Sequence, residues 1–409
     1  MKDKVFINGP INVVRLEGEV NRIKKVLYVF MDNHMDVTQQ TKCDDIRSKD
    51  IHNYFIENFD KISEGNKIYD FFLEMFPTYL IGKGSYRKDM YLLETRDLFL
   101  KSFSINRQKN VVGKSNNFPN VRLHYIDIRD YIIDNYDRLF ELDGYIDDII
   151  NNGFVGQNDI DVIRDTLTME LNDIMTVYDI MYGKTKYKNV KLKPAVPTSH
   201  TDLQKYKSED YLKRTRQFID KIKTRYTHSN IKKKLNGIID NEIQKQFQKY
   251  YDHLDNYYTV LDSMGSELNV RHDRLYIDRH LVPGYGKPYY HTLSLFAKLS
   301  MVNSIKSDYV FDIFVYIMDV FFMRRLLEKD YVTNAISYTG SLHSDNYIYF
   351  LVKYFDFKIT HYSYLKGDDI EKVTKVIKET DNPRDLDPYF YPPVLKQCSD
   401  MTDFPKLFE

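Results

Sequence analysis

Two histidines lie at the ends of predicted strands, next to groups that favour acid–base catalysis or the binding of an oxyanion. His34 follows the hydrophobic strand Val26–Asp32, and Asp32 lies two residues before it. Because residues two apart on a strand face the same side, Asp32 is placed to raise the basicity of His34 and to fix its tautomer. His343 follows Gly340 and precedes a predicted helix with Ser344 as its N-cap, where backbone N–H groups can bind an oxyanion.

Two more predicted strands end in polar residues. Glu74 closes the strand that contains Asp70 and Phe72, and a carboxylate there can act as a metal ligand or a general base. Asp127 and Arg129 share one side of the next strand, either as an internal salt bridge or with Arg129 poised to bind an anion. Since ligands bind beyond the carboxyl ends of parallel strands, the four strand ends together predict a shared site.

The sequence is consistent with two kinds of chemistry at this predicted site. Asp32, His34, Glu74 and His343 either hold a divalent metal ion, or form a metal-free set in which His34 or His343 is the general base. The spacing does not choose, because the sequence holds neither a His-x-x-x-His nor a Cys-x-x-Cys motif. A divalent metal is therefore the only cofactor predicted.

The two cysteines narrow the class of protein. Two Cys in 409 residues exclude a disulfide-rich scaffold and any zinc cluster made of Cys alone. Cys43 lies shortly after His34 and is predicted to be either a nucleophile or a buried free thiol. We expect a reducing, cytoplasmic location.

The order of the predicted elements indicates how the chain positions these strand ends. Residues 1–130 alternate strands with helices, which predicts the N-terminal half of an α/β core. Residues 131–330 are predominantly helical, and residues 331–370 return to the strand and helix pattern. Residues 371–409 are predicted to form an irregular tail. The expected fold is α/β, a mostly parallel sheet with flanking helices, interrupted by a large helical insertion.

The net charge of zero, from 59 basic and 59 acidic side chains, hides two opposite blocks. The stretch Ile126–Tyr182 is rich in acidic residues, and Gly183–Tyr250 is rich in lysine and arginine. The basic block either contacts a protein partner or a nucleic acid, or packs against the acidic block within the chain.

Composition and hydropathy exclude two classes of protein. With 43% hydrophobic and 29% charged residues, the chain matches neither a disordered nor a membrane protein. The N-terminus lacks the pattern of a signal peptide. The most apolar run, Val310–Met323, is too short for a bilayer span and contains Asp312 and Asp319, so no membrane span is predicted.

The order of the strand-end motifs resembles one superfamily, which includes erythromycin-esterase-like hydrolases, TraB/Tiki-type proteins and ChaN-like haem-binding proteins. The similarity covers Val26–Arg129 and Thr333–Tyr364, with a helical insertion before the last motif. The superfamily's Gly-Glu-x-His is here Met31-Asp32-Asn33-His34, so Asp32 replaces the Glu. The resemblance implies a hydrolase of the esterase or metallopeptidase type, acting on a small molecule or a peptide.

The same resemblance implies roles for the site residues. His34 is the base or metal ligand, Glu74 is its partner, Arg129 contacts an anionic group of the substrate, and His343 is a second base or ligand. Asp127 completes the candidate catalytic set.

The segment Val29–Cys43, together with the composition, resembles uncharacterised proteins of giant DNA viruses. That resemblance implies a location in the host cytoplasm or the virion. It also supplies an alternative function, a non-catalytic viral structural or interaction protein that uses the helical insertion as its binding surface.

Overall fold

The chain divides into two units, each assembled from separate stretches of sequence. The computed structural model describes residues 4–35, 37–74, 90–106, 111–128, 137–183, 209–271, 274–276, 297–302, 310–364 and 369–409. The first unit comprises Met1–Asp127, Tyr226–Lys234 and Met318–Glu409, and the second comprises Ile128–Arg225 and Leu235–Ile317. Among the described residues, none of the helices has the length and hydropathy to cross a membrane.

The first unit is built on a six-stranded mixed sheet. Its strands are β2 (Asn12–Val20), β3 (Ile23–Asp32), β5 (Tyr69–Leu73), β8 (Val121–Tyr125), β11 (Asn334–Gly340) and β12 (Lys358–Tyr362). Their order across the sheet is β12-β2-β3-β11-β5-β8. The three pairs β3–β11, β11–β5 and β5–β8 are parallel, whereas β12–β2 and β2–β3 are antiparallel.

The smaller strands of the first unit form two further sheets. One has the order β13-β1-β4, from β13 (Cys398–Asp400), β1 (Phe6–Asn8) and β4 (Lys49–Asp50). The other is the antiparallel pair of β6 (Phe103–Asn106) and β7 (Val111–Ser115).

The mixed character of the main sheet arises from a tight hairpin. Strands β2 and β3 pair from Asn12 opposite Met31 to Val20 opposite Ile23, so that Asn21 and Arg22 alone form the turn. Both turn residues have positive φ, 52° and 66°, which is the backbone of a type I′ turn. The predicted class, α/β, is found, but the sheet is mixed: β2 turns directly into β3 without a helix between them, and so runs against the other five strands.

Helices cover the sheet of the first unit. They are α1 (Ile51–Ile62), α2 (Met90–Ser102), α9 (Ser341–Phe355), α10 (Asp369–Glu379) and α11 (Asp387–Phe390), together with part of α6 (Ser229–Ile238) and the part of α8 (Phe311–Glu328) from Met318 onward.

The last residues of the chain belong to the core of the first unit, contrary to the predicted irregular tail. Residues 369–379 form α10, and β13 pairs with β1. Phe408 is 1% exposed, and its ring contacts those of Tyr28, Phe30 and Phe55. The prolines from Pro383 onward favoured an irregular tail, although Ile370, Val373 and Ile377 follow the helical period of α10.

The second unit is helical. It contains α3 (Asp137–Asn152), α4 (Gln157–Tyr182), α5 (Glu209–Thr224), a π-helical turn (Ile239–Ile243) and α7 (Gln244–Arg271), with the short antiparallel strands β9 (Phe154–Gly156) and β10 (Arg274–Tyr276). Residues 184–208 of the basic block lie outside the described residues.

The two cysteines form a disulfide, Cys43–Cys398, with 4.9 Å between their Cα atoms. The predicted nucleophile and the predicted buried free thiol are therefore both wrong for Cys43. Sequence spacing could not show the pairing, because 355 residues separate the two positions and only the folded β1–β13 pair brings them together.

Candidate functional site

The first half of the site is an Asp–His pair that follows β3. Asp32 is the last residue of that strand and is completely buried, and its Oδ2 lies 2.9 Å from Nδ1 of His34. The His34 side chain is 42% exposed. The Asp32 carboxylate thus accepts the Nδ1–H proton of His34, which leaves Nε2 of His34 able to accept a proton.

A second Asp–His pair mirrors the first one. Nδ1 of His343, on α9, lies 2.6 Å from Oδ1 of Asp319, on α8. Asn346, one turn further along α9, donates to the other oxygen of Asp319 at 2.7 Å. Burial raises the pKa of Asp319 to about 6, and the adjacent His343 lowers it in part. The pair is therefore held inside the protein, with the His343 side chain 7% exposed.

Sequence reasoning missed Asp319 as a site residue, although a signal was present. This aspartate lies within the most apolar run of the chain, Val310–Met323. A carboxylate in such a helix is costly to bury unless it has polar partners. A search for the partner of Asp319 would have led to the other buried polar residues, His343 among them.

Glu74 joins the two Asp–His pairs. It follows β5, and its backbone N–H donates to the carbonyl of Tyr338 on β11. Its Oε2 lies 3.7 Å from Nε2 of His34, and its Oε1 lies 3.5 Å from Nε2 of His343. The arrangement is a chain of five groups, Asp32–His34–Glu74–His343–Asp319, with one carboxylate at its centre and one at each end.

Gly340 makes the close approach of these groups possible. It ends β11, between β3 and β5, and its N–H donates to Oε2 of Glu74 at 2.6 Å. A Cβ atom at this position would lie 2.9 Å from Nε2 of His34 and 3.2 Å from Oε2 of Glu74. Any larger residue would therefore separate His34 from Glu74.

The start of α9 differs from the prediction. The helix begins at Ser341 with Gly340 as its N-cap, so Ser344 is an interior residue and not the cap. The Ser344 hydroxyl instead contacts the hydroxyl of Thr339 at 2.8 Å. His343 consequently lies in the first turn of α9, which directs its ring to Asp319 and Glu74.

Three aromatic side chains pack against one another next to the site. Phe72, two residues before Glu74 on β5, packs edge-on against Phe322 of α8 at 5.0 Å between ring centroids. Phe322 in turn stacks on Tyr347 of α9 at 3.9 Å. Thus α8 packs against β5, and α9 packs against α8, through rings that lie one turn beyond Asp319 and His343.

A buried ionic cluster forms the next layer. Asp70, completely buried on β5, accepts two hydrogen bonds from Arg122 at 2.7 and 2.6 Å and contacts Nε2 of His124 at 2.7 Å. Arg325 of α8 lies 2.7 Å from Nδ1 of His124 and can only donate, so His124 is neutral with its proton on Nε2. Burial lowers the pKa of His124, in agreement with this assignment. Asp70 is thus an ion-pair partner and not a site residue.

Two predicted site residues remain, Asp127, which the structure describes, and Arg129, which it does not. Asp127 follows β8, the strand next to β5, and is 4% exposed. Arg129 lies outside the described residues, so its predicted contact with a substrate anion remains a prediction.

The predicted metal ligands do not form a metal cage. Within the described ranges, no three His, Cys, Asp or Glu side chains are arranged to hold a metal ion. Asp32 is directed at Nδ1 of His34, and Oε2 of Glu74 accepts the Gly340 N–H. The arrangement supports proton transfer between imidazole and carboxylate groups, which needs no ligand shell.

The basic block contributes in part to packing inside the first unit. Lys232, Lys233 and Lys234 are exposed on α6. Lys234 donates to the carbonyl of Tyr354 at 2.7 Å and lies over the ring of Phe355 at 5.2 Å.

Comparisons with known proteins place these observations among viral sequences. Residues 5–409 match the model of a family of unknown function, DUF5847. Uncharacterized protein R706 of Acanthamoeba polyphaga mimivirus is 35% identical to the chain, over 99% of the chain and 97% of the relative. Uncharacterized proteins R161 and R160 of the same virus are 33% and 32% identical, over 100% and 98% of the chain and 99% and 97% of the relatives. No solved structure matches the chain. The resemblance to giant-virus proteins agrees with these relatives.

Proposed function

Since the chain belongs to DUF5847, a family of unknown function, we propose its chemistry from its site: a hydrolase of the erythromycin-esterase/TraB type that cleaves an ester by general base catalysis. The observation that carries this proposal is the pair of Asp–His dyads whose Nε2 atoms both face Glu74, at 3.7 and 3.5 Å. A carboxylate that accepts the Nδ1–H of a histidine fixes the tautomer that can take a proton at Nε2.

His34 is the general base in this proposal. Its Nδ1–H is held by Asp32, and the 42% exposure of its side chain gives a substrate access to the ring. Nε2 takes a proton from a water molecule as the water oxygen bonds to the ester carbonyl carbon. The same proton then passes to the leaving alkoxide as the C–O bond breaks, which yields an acid and an alcohol.

Glu74 and His343 act as positioning residues. Glu74, anchored by the Gly340 N–H, presents a negative charge that stabilises the imidazolium formed on His34. His343, buried between Asp319 and Glu74, can take a second proton at Nε2, and the resulting imidazolium then donates to Oε1 of Glu74 from the opposite side. The N-terminus of α9 adds a positive partial charge at the same edge of the sheet, which favours the oxyanion of the transition state.

The test is ester hydrolysis by the purified full chain, with p-nitrophenyl acetate and butyrate as probes. We expect turnover that falls by about 100-fold or more in His34→Ala, because general base catalysis contributes that much. His52→Ala is the matched control, since His52 also pairs with a carboxylate, Glu94, at 3.0 Å but lies on α1 outside the site. His52→Ala should retain wild-type turnover.

Two outcomes would contradict the proposal. Turnover unchanged in His34→Ala would exclude His34 as the base. No turnover of any ester by the wild-type chain would favour the non-catalytic alternative, a viral structural or interaction protein. A chelator in the assay separates the metal-free set from a metal-dependent one, because only the latter would lose activity.

A further inference from the structure

The disulfide joins two segments that are far apart in the sequence and are both anchored by one residue. Asn8, on β1, lies opposite Cys398 in the antiparallel β1–β13 pair. The side-chain oxygen of Asn8 accepts the backbone N–H of Cys43 at 2.8 Å, and its amide donates to Asp50 at 2.8 Å. Asn8 is 3% exposed, so this arrangement is a buried and fixed part of the first unit.

These contacts hold both cysteines in place without the covalent bond. The carbonyl oxygen of Ile7 lies 3.3 Å from Sγ of Cys43, where a reduced thiol would find an acceptor. Both cysteines are half-buried and thus within reach of an oxidant. Two thiols held side by side by the fold react with each other far faster than two thiols in an open chain.

We propose that Cys43–Cys398 is a site of oxidative maturation, closed on the already folded chain, and that its closure locks the segment that follows His34. The oxidant is a protein or small-molecule disulfide. One cysteine thiolate attacks the oxidant and releases one thiol, and the second cysteine then attacks the mixed disulfide and releases the other thiol. Two electrons and the two cysteine protons pass to the oxidant.

The locked segment, residues 37–43, is bonded to the C-terminal segment and to α2 close to the disulfide. Thr41 and Gln397 exchange two hydrogen bonds, from Thr41 N–H to the Gln397 side chain at 3.1 Å and from Gln397 N–H to the Thr41 hydroxyl at 2.7 Å. The Tyr91 hydroxyl donates to the Thr41 carbonyl at 3.1 Å. These contacts lie within two residues of the disulfide, so its reduction is expected to loosen them together with the Cys43 end of the segment.

This proposal implies an oxidising environment when the bond closes, in place of the predicted reducing one. Both cysteines are consumed in one bond, and disulfides form most readily where the surroundings are oxidising. Neither the bond nor the locked segment depends on ester hydrolysis, so the inference stands or fails separately from the proposed function.

The first experiment asks when the bond forms. The full chain is folded under reducing conditions, then given oxidised glutathione, and its mass and free thiols are followed with time. We expect the folded chain to lose both thiols, and Asn8→Ala, which removes the side chain that positions Cys43, to lose them about tenfold more slowly. Oxidation that requires prior unfolding, or two thiols that persist in the folded chain, would overturn the proposal.

The second experiment asks what the bond holds, by amide hydrogen exchange with and without a reductant. Reduction should speed exchange of residues 37–43 by about tenfold and leave β12 unchanged. Cys43→Ser/Cys398→Ser is the matched control, in which the reductant should cause no change. If that variant does not fold, the wild-type chain reduced after folding still gives the answer. Equal exchange of residues 37–43 in the oxidised and reduced wild type would exclude the locking role.

Discussion

At the scale of single residues, the site depends on the positions of buried carboxylates. Asp32 and Asp319 are both completely buried, and each accepts the Nδ1–H of one histidine. That contact leaves both Nε2 atoms facing Glu74. Removal of any one carboxylate therefore alters the tautomer or position of an imidazole, not only the local charge.

Gly340→Ala should disrupt the site while the fold persists. The backbone of Gly340, with φ of −54°, suits alanine, but the added Cβ would meet Nε2 of His34 at 2.9 Å. We expect esterase turnover to fall by about 100-fold and the free energy of unfolding to change by less than about 1 kcal/mol. Gly144→Ala, where the added Cβ meets no atom within 4 Å, is the control and should keep full turnover.

Asp319→Asn should change the tautomer of His343. The two carboxylate oxygens accept from His343 and from Asn346, and an amide can accept at only one of these two positions. The proton of His343 is then expected to move to Nε2, which ¹⁵N NMR of the imidazole detects without any substrate. Retention of the Nδ1–H tautomer would show that Asp319 does not orient His343.

The same carboxyl group predicts a dependence of stability on pH. Burial raises the pKa of Asp319 to about 6, so the folded chain binds this proton at pH values where the unfolded chain has released it. The contribution of Asp319 to the free energy of unfolding therefore falls as the pH rises from about 4 to about 6, by at most about 1.4 kcal/mol per pH unit. Urea unfolding of wild type and Asp319→Asn over this range should show the steeper fall in wild type, and parallel curves would contradict the assignment.

At the scale of elements, the sequence predicts the strands that end in site residues better than the contacts between them. The predicted strands of Asp32 and Glu74 appear as β3 and β5 because each is an apolar run with a polar end, interrupted in β5 only by Asp70. In the sheet, β11 lies between β3 and β5 although it comes from the other end of the chain. A local sequence pattern cannot show such a long-range pairing. The pairing of Asp319, on α8, with His343 was missed. Because α8 is apolar on nearly all sides, its sequence shows no amphipathic period that would set its polar residues apart.

Tyr391→Phe should destabilise the attachment of the C-terminal segment to α9. The Tyr391 hydroxyl contacts Oδ2 of Asp345, a completely buried carboxyl group whose pKa burial raises well above its usual range. Loss of the hydroxyl leaves that oxygen without its partner, at a cost of about 1–3 kcal/mol in the free energy of unfolding. Tyr389→Phe is the control, since the Tyr389 ring lies under Lys372, and it should change stability by less than about 0.5 kcal/mol.

At the scale of the whole molecule, both ends of the chain complete the first unit. Strand β1 lies between β13 and β4, and Phe408 packs among the rings over the main sheet. The division of the chain into 1–130, 131–330, 331–370 and 371–409 remains a prediction in detail. The segment after residue 369 is nevertheless a structural part of the first unit.

Phe408→Ala should therefore act as a core substitution. The Phe408 side chain is 1% exposed and contacts the rings of Tyr28, Phe55 and Phe59. We expect a loss of about 3–5 kcal/mol in the free energy of unfolding, measured by chemical denaturation. Val394→Ala, which removes a 76% exposed side chain from the same C-terminal segment, should cost less than about 0.5 kcal/mol. Equal effects of the two changes would show that the C-terminal segment does not contribute to the core.

The position of β11 between β3 and β5 also determines when the protein can fold during its synthesis. The ribosome releases β3 and β5 early, but the strand that joins them ends at residue 340. At translation rates of about 5–20 residues per second, the nascent chain keeps these two apolar strand edges open for roughly 10–50 s. Open edges of this kind are templates for aggregation. Production of this protein at high levels should accordingly depend on chaperones that bind nascent chains, more than on the stability of the finished fold.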